Sequence, residues 1–322
     1  LAIHQAWTPD PQPDYYLEIL PSSQKCDIFK YPITETNKLL SNGTVIDTGQ
    51  THTARDPLKW WMNCVSYKLF DTPKLLPILF NLALMPLVYL LASALTKDRI
   101  VSLITLVTFI ELPIYHDYIG SGTYDQIWSF FLILAVYISY RFKRPGLTIL
   151  SFLVSLTSKT LGLLYMPSIL YTLYDKRGTS TPKKILLVLI ISITMIPVVI
   201  YFTGGNLDHF LGGSIGFHQE NINHAIFDNF GMLAYEVPII LFTTFASFRY
   251  GPKIPSPLRK LCLVWIGNAW LTTTIIYLFS TQYQFVYRFV PLAVFLALFI
   301  GITINDLGRA YIEKKLQDNS EN

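Results

Sequence analysis

After Lys74 the chain becomes a series of apolar runs separated by short basic loops, and no other feature constrains its fold as strongly. The runs lie at about 75–95, 100–115, 125–141, 146–158, 160–174, 184–203, 236–248, 261–280 and 286–304. Crossing a hydrocarbon core takes about 20 apolar residues per helix, and several runs reach that length alone. In lipid every backbone polar group must be satisfied internally, and uninterrupted runs of this kind do so as helices. The runs at 146–158 and 160–174 are short and meet at Ser158-Lys159. Together they predict a helical hairpin with Lys159 at its tip. The fold class is therefore read as all-α, a polytopic membrane protein with about nine membrane helices.

Composition excludes the other classes. The chain has 322 residues, 52% apolar and 14% charged, with a mean hydropathy of +0.40. A soluble domain carries about 25% charged residues, so a soluble globule of this length would lack polar surface. Disorder is excluded by 21 Phe, 20 Tyr and 6 Trp. The net charge of +4 does not indicate nucleic acid, because Lys and Arg in membrane chains mark cytoplasmic loops. Placing loops 96–99, 141–145, 175–184 and 249–260 and the C-terminal tail in the cytoplasm gathers most of these cations. Outside then remain Lys159, Arg288 and the cations of residues 1–74, a segment long enough to escape the short-loop rule.

Residues 1–74 form a water-exposed first loop with balanced charge, scattered proline and no long apolar run. The rest, 75–322, is the transmembrane helical domain, with a long outer loop at about 204–235. The chain begins at Leu1 rather than Met, and the parity of the spans expects one further helix upstream. Within the first loop, Pro9-Asp10-Pro11-Gln12-Pro13-Asp14 carries two carboxylates on backbone that proline holds extended. The stretch after Arg55, rich in Trp and Tyr, predicts an interfacial helix over 56–70. Asn42-Gly43-Thr44 is a glycosylation sequon. Of the three cysteines, Cys26 and Cys64 can pair if this loop lies outside the cytoplasm.

Seven ionisable residues fall at or near the outer ends of the runs: Glu111, His116, Asp117, Asp125, Lys159, Glu236 and Arg288. Charges at membrane depth cost about 2.5 kcal/mol or more at a helix centre, so they pair or line a cavity. At run edges, Asp117 and Glu236 are also explained by solvation at the interface. Asp125, Lys159 and Arg288 on one face instead suggest a site that handles an anion and activates a group beside it. The six histidines have no metal-ligand spacing, and there is no Walker motif.

Four segments resemble the GT-C class of multi-span glycosyltransferases, in the branch of protein O-mannosyltransferases and aminoarabinose–lipid A transferases. Leu39-Leu40-Ser41-Asn42-Gly43 followed by Arg55-Asp56-Pro57-Leu58-Lys59-Trp60-Trp61 looks like that branch's "ESG…KPPLYYW". Gly122-Thr123-Tyr124-Asp125 before an aromatic helix looks like its acidic residue ahead of a helix. Ser155-Leu156-Thr157-Ser158-Lys159-Thr160-Leu161-Gly162-Leu163-Leu164 looks like "GLALLTKGxxGLL". Tyr287-Arg288-Phe289 with Pro291 looks like "RYLLPxLP". The chain departs from the pattern in places. Asp14 is followed by Tyr15 where the family has an Asp-Glu pair, Asp10 is its rival, and Arg55 stands where the family has Lys.

The resemblance implies transfer of a sugar, with inversion, from a polyprenyl-phosphate donor to a lipid, glycan or protein hydroxyl on the extracytoplasmic face of the membrane. Asp14 (or Asp10) would be the base, and Arg55, Lys159 and Arg288 would hold the donor phosphate. Asp125 would position the groups around Asp14 or share a divalent metal cation with it, the cation being optional. A lipid-linked donor at the outer leaflet needs no ATP, in keeping with the missing Walker motif. Two other classes compete: a transporter or lipid flippase with polar groups along its pathway, and a non-catalytic subunit of a membrane complex with the same fold.

Overall fold

The computed structural model describes residues 19–30, 33–35, 38–39, 45–46, 51–53, 56–116, 126–174, 257–279 and 290–321, with isolated helical positions between 238 and 249. Its helices, in chain order, are α1 Leu20–Lys25, α2 Pro57–Phe70, α3 Leu75–Thr96, α4 Arg99–Glu111, α5 Pro113–His116, α6 Gln126–Phe142 and α7 Pro145–Ser158. A 3₁₀ stretch, Thr160–Tyr165, leads into α8 Met166–Tyr174, and α9 Pro257–Phe279 and α10 Val290–Glu321 follow. The runs predicted at 184–203 and 236–248 lie outside the described residues, apart from those isolated positions. Each of the other runs carries a helix.

Among the described residues, two helices are long and apolar enough to cross a membrane: Leu75–Thr96 in α3, and Val290–Arg309 in α10. The apolar segments Ile127–Phe142 and Pro145–Ser158 are shorter. α3 runs unbroken through Pro86, as helices in an apolar bundle can when neighbours satisfy the freed carbonyl.

The first loop is not wholly irregular. Two short antiparallel ladders nest one inside the other, β1 Ile33–Glu35 against β4 Thr51–Thr53 and β2 Lys38–Leu39 against β3 Val45–Ile46. The all-helical reading did not anticipate them. Strands of two or three residues offer almost no period-two pattern to read.

Helix starts and stops follow local chemistry. Pro57 opens α2, where its missing N–H costs no helical bond. Asp98 caps α4 by accepting from the N–H groups of Ile100 at 2.8 Å and Val101 at 3.2 Å. Asp71, Lys97 and Lys143 have positive φ, and the first two end α2 and α3 with a left-handed cap.

The bundle core runs through α3, α4, α6, α7, α8, α9 and α10. α6 and α7 are antiparallel neighbours, the Ser151 hydroxyl donating to the Phe131 carbonyl at 2.8 Å. Phe80 of α3 meets Phe130 and Phe131 of α6 at ring distances of 5.3 and 5.7 Å. α10 lies tightly against α4: a Cβ on Gly301 would sit 2.6 Å from Thr105 Oγ1 and 3.2 Å from the Val101 carbonyl. Close backbone approach through small residues is how helices pack where water supplies no driving force.

Candidate functional site

α2 forms as the sequence predicts, but its sides are distributed unexpectedly. Lys59, Trp60, Asn63, Cys64 and Ser66 are buried, while Trp61, Leu69 and Phe70 are exposed. The helix thus buries a polar stripe, with Lys59, Asn63 and Ser66 at helical spacing, and packs against α1, α3 and α7. Outward it shows an aromatic and aliphatic surface suited to a membrane interface.

Covalent and polar ties hold it there. Cys26 and Cys64 are joined in a disulfide, with Cα atoms 5.9 Å apart, which settles the pairing that the sequence left open. Trp61 Nε1 donates to the Ile28 carbonyl at 3.0 Å, and Ile19 packs with Trp60. At the far end of α2, the Ser66 hydroxyl donates to the Thr72 carbonyl at 2.6 Å and accepts from Leu76 N–H at 3.2 Å. Beside Cys26, Asp27 accepts from Phe29 N–H at 3.0 Å. That bond, helped by Lys30 at 3.4 Å, holds its carboxyl below the usual carboxylate range.

Two groups on the inward face of α2 stand out. Lys59 is 6% exposed, its Nζ lying 4.5 Å from the centre of the Trp60 ring, a distance that allows cation–π attraction. Asn63 is fully buried, and neither its amide nitrogen nor its oxygen has a hydrogen-bond partner. Leaving such a group unmade costs about 1–3 kcal/mol per site. Ser158 Oγ, Trp128 Nε1 and Ser129 Oγ are also buried and unpartnered. These belong to the end of α7 and the first turn of α6; Ser139 near the far end of α6 and Ser168 in α8 are buried and unpartnered as well.

Lys159 lies at the joint between α7 and the 3₁₀ stretch. Its own backbone is extended, with φ −159° and ψ 114°. Its N–H closes α7 on the Ser155 carbonyl at 3.0 Å, and its carbonyl accepts from Gly162 N–H at 3.0 Å. The expected break therefore falls at Lys159, and its side chain is half-buried. Gly162 packs closely at the joint: a Cβ would lie 3.0 Å from Leu156 Cδ2, so that side chain would have to give slightly, and 3.6 Å from Trp128. The 3₁₀ stretch is held from α9, where Asn268 Nδ2 donates to the Leu164 carbonyl at 3.1 Å. A line of rings, Trp128 to Tyr165 at 5.5 Å, Tyr165 to Trp265 at 6.1 Å and Trp265 to Phe295 at 4.4 Å, ties α6, the joint, α9 and α10.

Of the site residues expected from sequence, Lys159 alone lies among the described residues. Asp10, Asp14, Arg55, Asp125 and Arg288 lie outside them, as do Asp117 and Glu236. Sequence reasoning passed over Lys59 and Asn63 as site candidates. The signal was the 59, 63, 66 spacing of polar residues, masked by Trp60 and Trp61 beside it. Among the described residues no three of His, Cys, Asp and Glu gather as metal ligands.

A cavity of about 410 Å³ lies at the opposite end of the bundle, lined by Thr96, Asp98, Tyr140, Leu258 and Arg309 among others. It belongs to a different part of the molecule from Lys159.

No protein-family model matches the sequence, and comparison with curated proteins gives no match. Among solved structures, the chain is similar to the crystal structure of ArnT from Cupriavidus metallidurans in the apo state, with a TM-score of 0.50 and 14% identity. The match covers 80% of this chain and 51% of that one, so the chain spans about half the length of its structural neighbour. At this identity the likeness is one of fold, and the fold is of the GT-C type.

Proposed function

We propose that this protein is an integral, multi-pass membrane glycosyltransferase that moves a sugar from a polyprenyl-phosphate donor to an acceptor hydroxyl outside the cytoplasm. The observation that supports this most is that α2, which packs on α7, buries Lys59 and an unpartnered Asn63, while the C-terminal joint of α7 carries Lys159. Buried polar groups without partners are rare in a finished core and favour a surface that receives a polar ligand. The GT-C-type fold supports the same reading by analogy, which is weaker support than the site.

In this reading the acceptor hydroxyl gives its proton to the Asp14 carboxylate, or to Asp10, as its oxygen bonds to the sugar C1. The C1–O bond to the donor phosphate breaks on the opposite face, inverting the centre and releasing polyprenyl phosphate. Arg55, Lys159 and Arg288 hold that phosphate as its charge grows, Arg through paired N–H groups and Lys as a compact charge. Asp125 orients the groups around the base. A divalent cation shared by Asp14 and Asp125 is not needed for any of these steps.

The test is incubation of the purified full-length protein with radiolabelled polyprenyl-phosphate sugars and membrane lipid extract. Transfer of label, or slow donor hydrolysis without acceptor, is the expected result. Movement of intact donor between leaflets of a vesicle without bond cleavage would replace this reading with a flippase. Neither outcome, from protein that binds no donor, would leave a non-catalytic subunit.

A further inference from the structure

We propose that the cavity at the end of the bundle remote from Lys159 is a binding site for an anionic phospholipid of the cytoplasmic leaflet, with its phosphate on Arg309 and an acyl chain along the apolar wall. Its depth in the membrane comes first. The apolar spans of α3 and α10 end at Thr96 and Arg309, and both residues line this cavity. The cavity therefore opens at the level where hydrocarbon gives way to water.

Its lining is amphipathic in the same sense as a phospholipid. Leu95, Val101, Leu258, Leu261 and Ile302 form the apolar wall, while Thr96, Tyr140, Asn305 and Arg309 supply polar groups beside the Asp98 carboxylate, which also lines the cavity. Its size of about 410 Å³ falls in the range of ligand pockets, about 300–1,000 Å³. Charge selects the headgroup. Lys97, Arg99, Arg141, Lys143, Lys260 and Arg309 are exposed at this end. Asp98 and Asp306 are each engaged by an arginine, Asp98 by Arg309 at 3.4 Å and Asp306 by the buried Arg259. Juxtamembrane cations of this kind attract anionic lipid. The Arg309 side chain is 66% exposed despite its partner, and a guanidinium with five N–H groups can take a phosphate oxygen as well as a carboxylate.

The Asp98–Arg309 pair makes the idea separable from a structural one. The Asp98 carboxylate, sharing Arg309 with the lipid phosphate, repels that phosphate and offsets part of the arginine's charge, so the two residues should act in opposite directions. Asp98→Asn keeps a good helix cap and releases the arginine, whereas Arg309→Gln removes the anion's partner. The inference rests on the membrane placement in the proposed function and not on the transfer chemistry, so lipid selectivity and sugar transfer can fail independently.

The experiment uses the full chain in nanodiscs containing dioleoyl-phosphatidylglycerol and dioleoyl-phosphatidylcholine, with bound lipid counted by native mass spectrometry. Wild type should retain phosphatidylglycerol preferentially. Arg309→Gln should lower that preference roughly fivefold, about one surface cation's contribution, and Asp98→Asn should raise it by a similar factor. Ala94 also lines the cavity, and Ala94→Phe, which fills it, should abolish retention of both lipids while leaving the melting temperature near wild type. Equal retention of the two lipids by wild type overturns the proposal. So does a preference that moves the same way, or not at all, in Arg309→Gln and Asp98→Asn, since a pair that only staples α4 to α10 would behave so.

Discussion

At the scale of single residues, Asn63 and Lys159 make different demands on the bundle. A fully buried amide with both polar atoms unpaired is a cost the fold carries, and Asn63→Leu removes it at similar volume. Thermal stability should hold or rise, by up to about 1–3 kcal/mol, while sugar transfer falls. Unchanged transfer at raised stability would remove Asn63 from the site. For Lys159 the competing role is an anchor whose long stem carries its charge to the interface. Under that role Lys159→Gln is nearly silent. As a phosphate ligand, its loss should reduce donor use roughly 10- to 150-fold, from about 1.5–3 kcal/mol for a charge-assisted hydrogen bond. Lys159→Arg should rescue only in part, because a planar fork differs in reach from an ammonium. Asp14→Asn should cut transfer by about 10²–10⁴ with expression unchanged, as for loss of a general base. If Asp10→Asn is the inactive variant instead, the base lies four residues earlier. The helix break at Lys159 was legible in the sequence because two apolar runs meet there. Asn63 was not, since a lone amide beside two tryptophans reads as interfacial until the direction of its helix face is known.

Among the elements, α2 was visible from Pro57 and the aromatic stretch after it, yet periodicity could not say which side faces the bundle. The disulfide and the Ser66 bonds to Thr72 and Leu76 fix that side. Closing a loop with a sequence separation of 38 is worth up to about 4 kcal/mol in the chain-entropy model. Reduction, or Cys26→Ser with Cys64→Ser, should therefore release α1 from α2 and speed proteolysis between residues 27 and 56. The α3–α10 bundle should keep its melting temperature. The contact of α4 with α10 was illegible for another reason: Gly301 is visible in its apolar run, but nothing in sequence names Thr105 opposite it. With a Cβ forced to 2.6 Å from Thr105 Oγ1 and 3.2 Å from a backbone oxygen, Gly301→Ala should destabilise by about 1–3 kcal/mol. Thr105→Ala should recover part of that loss by clearing the hydroxyl, although the Val101 carbonyl remains. Full stability in Gly301→Ala would mean that the helices can separate at no cost.

Across the whole molecule, the sense of insertion decides where the chemistry happens. The cavity brings together residues 94–101, Tyr140, 257–261 and 302–309, so loop 96–99 and the starts and ends of helices flanking two other basic loops share one end. Lys97, Arg99, Arg141, Lys143 and Arg144 are exposed there, as short cytoplasmic loops should be. At the other end stand the disulfide, α2 and the Lys159 joint, and a stable disulfide belongs in an oxidising compartment. Charge and redox chemistry thus argue for the same orientation from opposite ends of the bundle. The native cysteines cannot report it, because Cys262 is buried and the other two are paired. Introduced ones can. Phe29 is 91% exposed, and Arg144 is exposed with no side-chain capping bond. In intact cells, without reductant, Phe29→Cys should react with a membrane-impermeant maleimide, and Arg144→Cys should react only after permeabilisation. Labelling in the reverse order would put Lys159 and α2 in the cytoplasm. A donor phosphate would then have to be met at the inner leaflet, and both the outer-face transfer and the cytoplasmic lipid site would fall together.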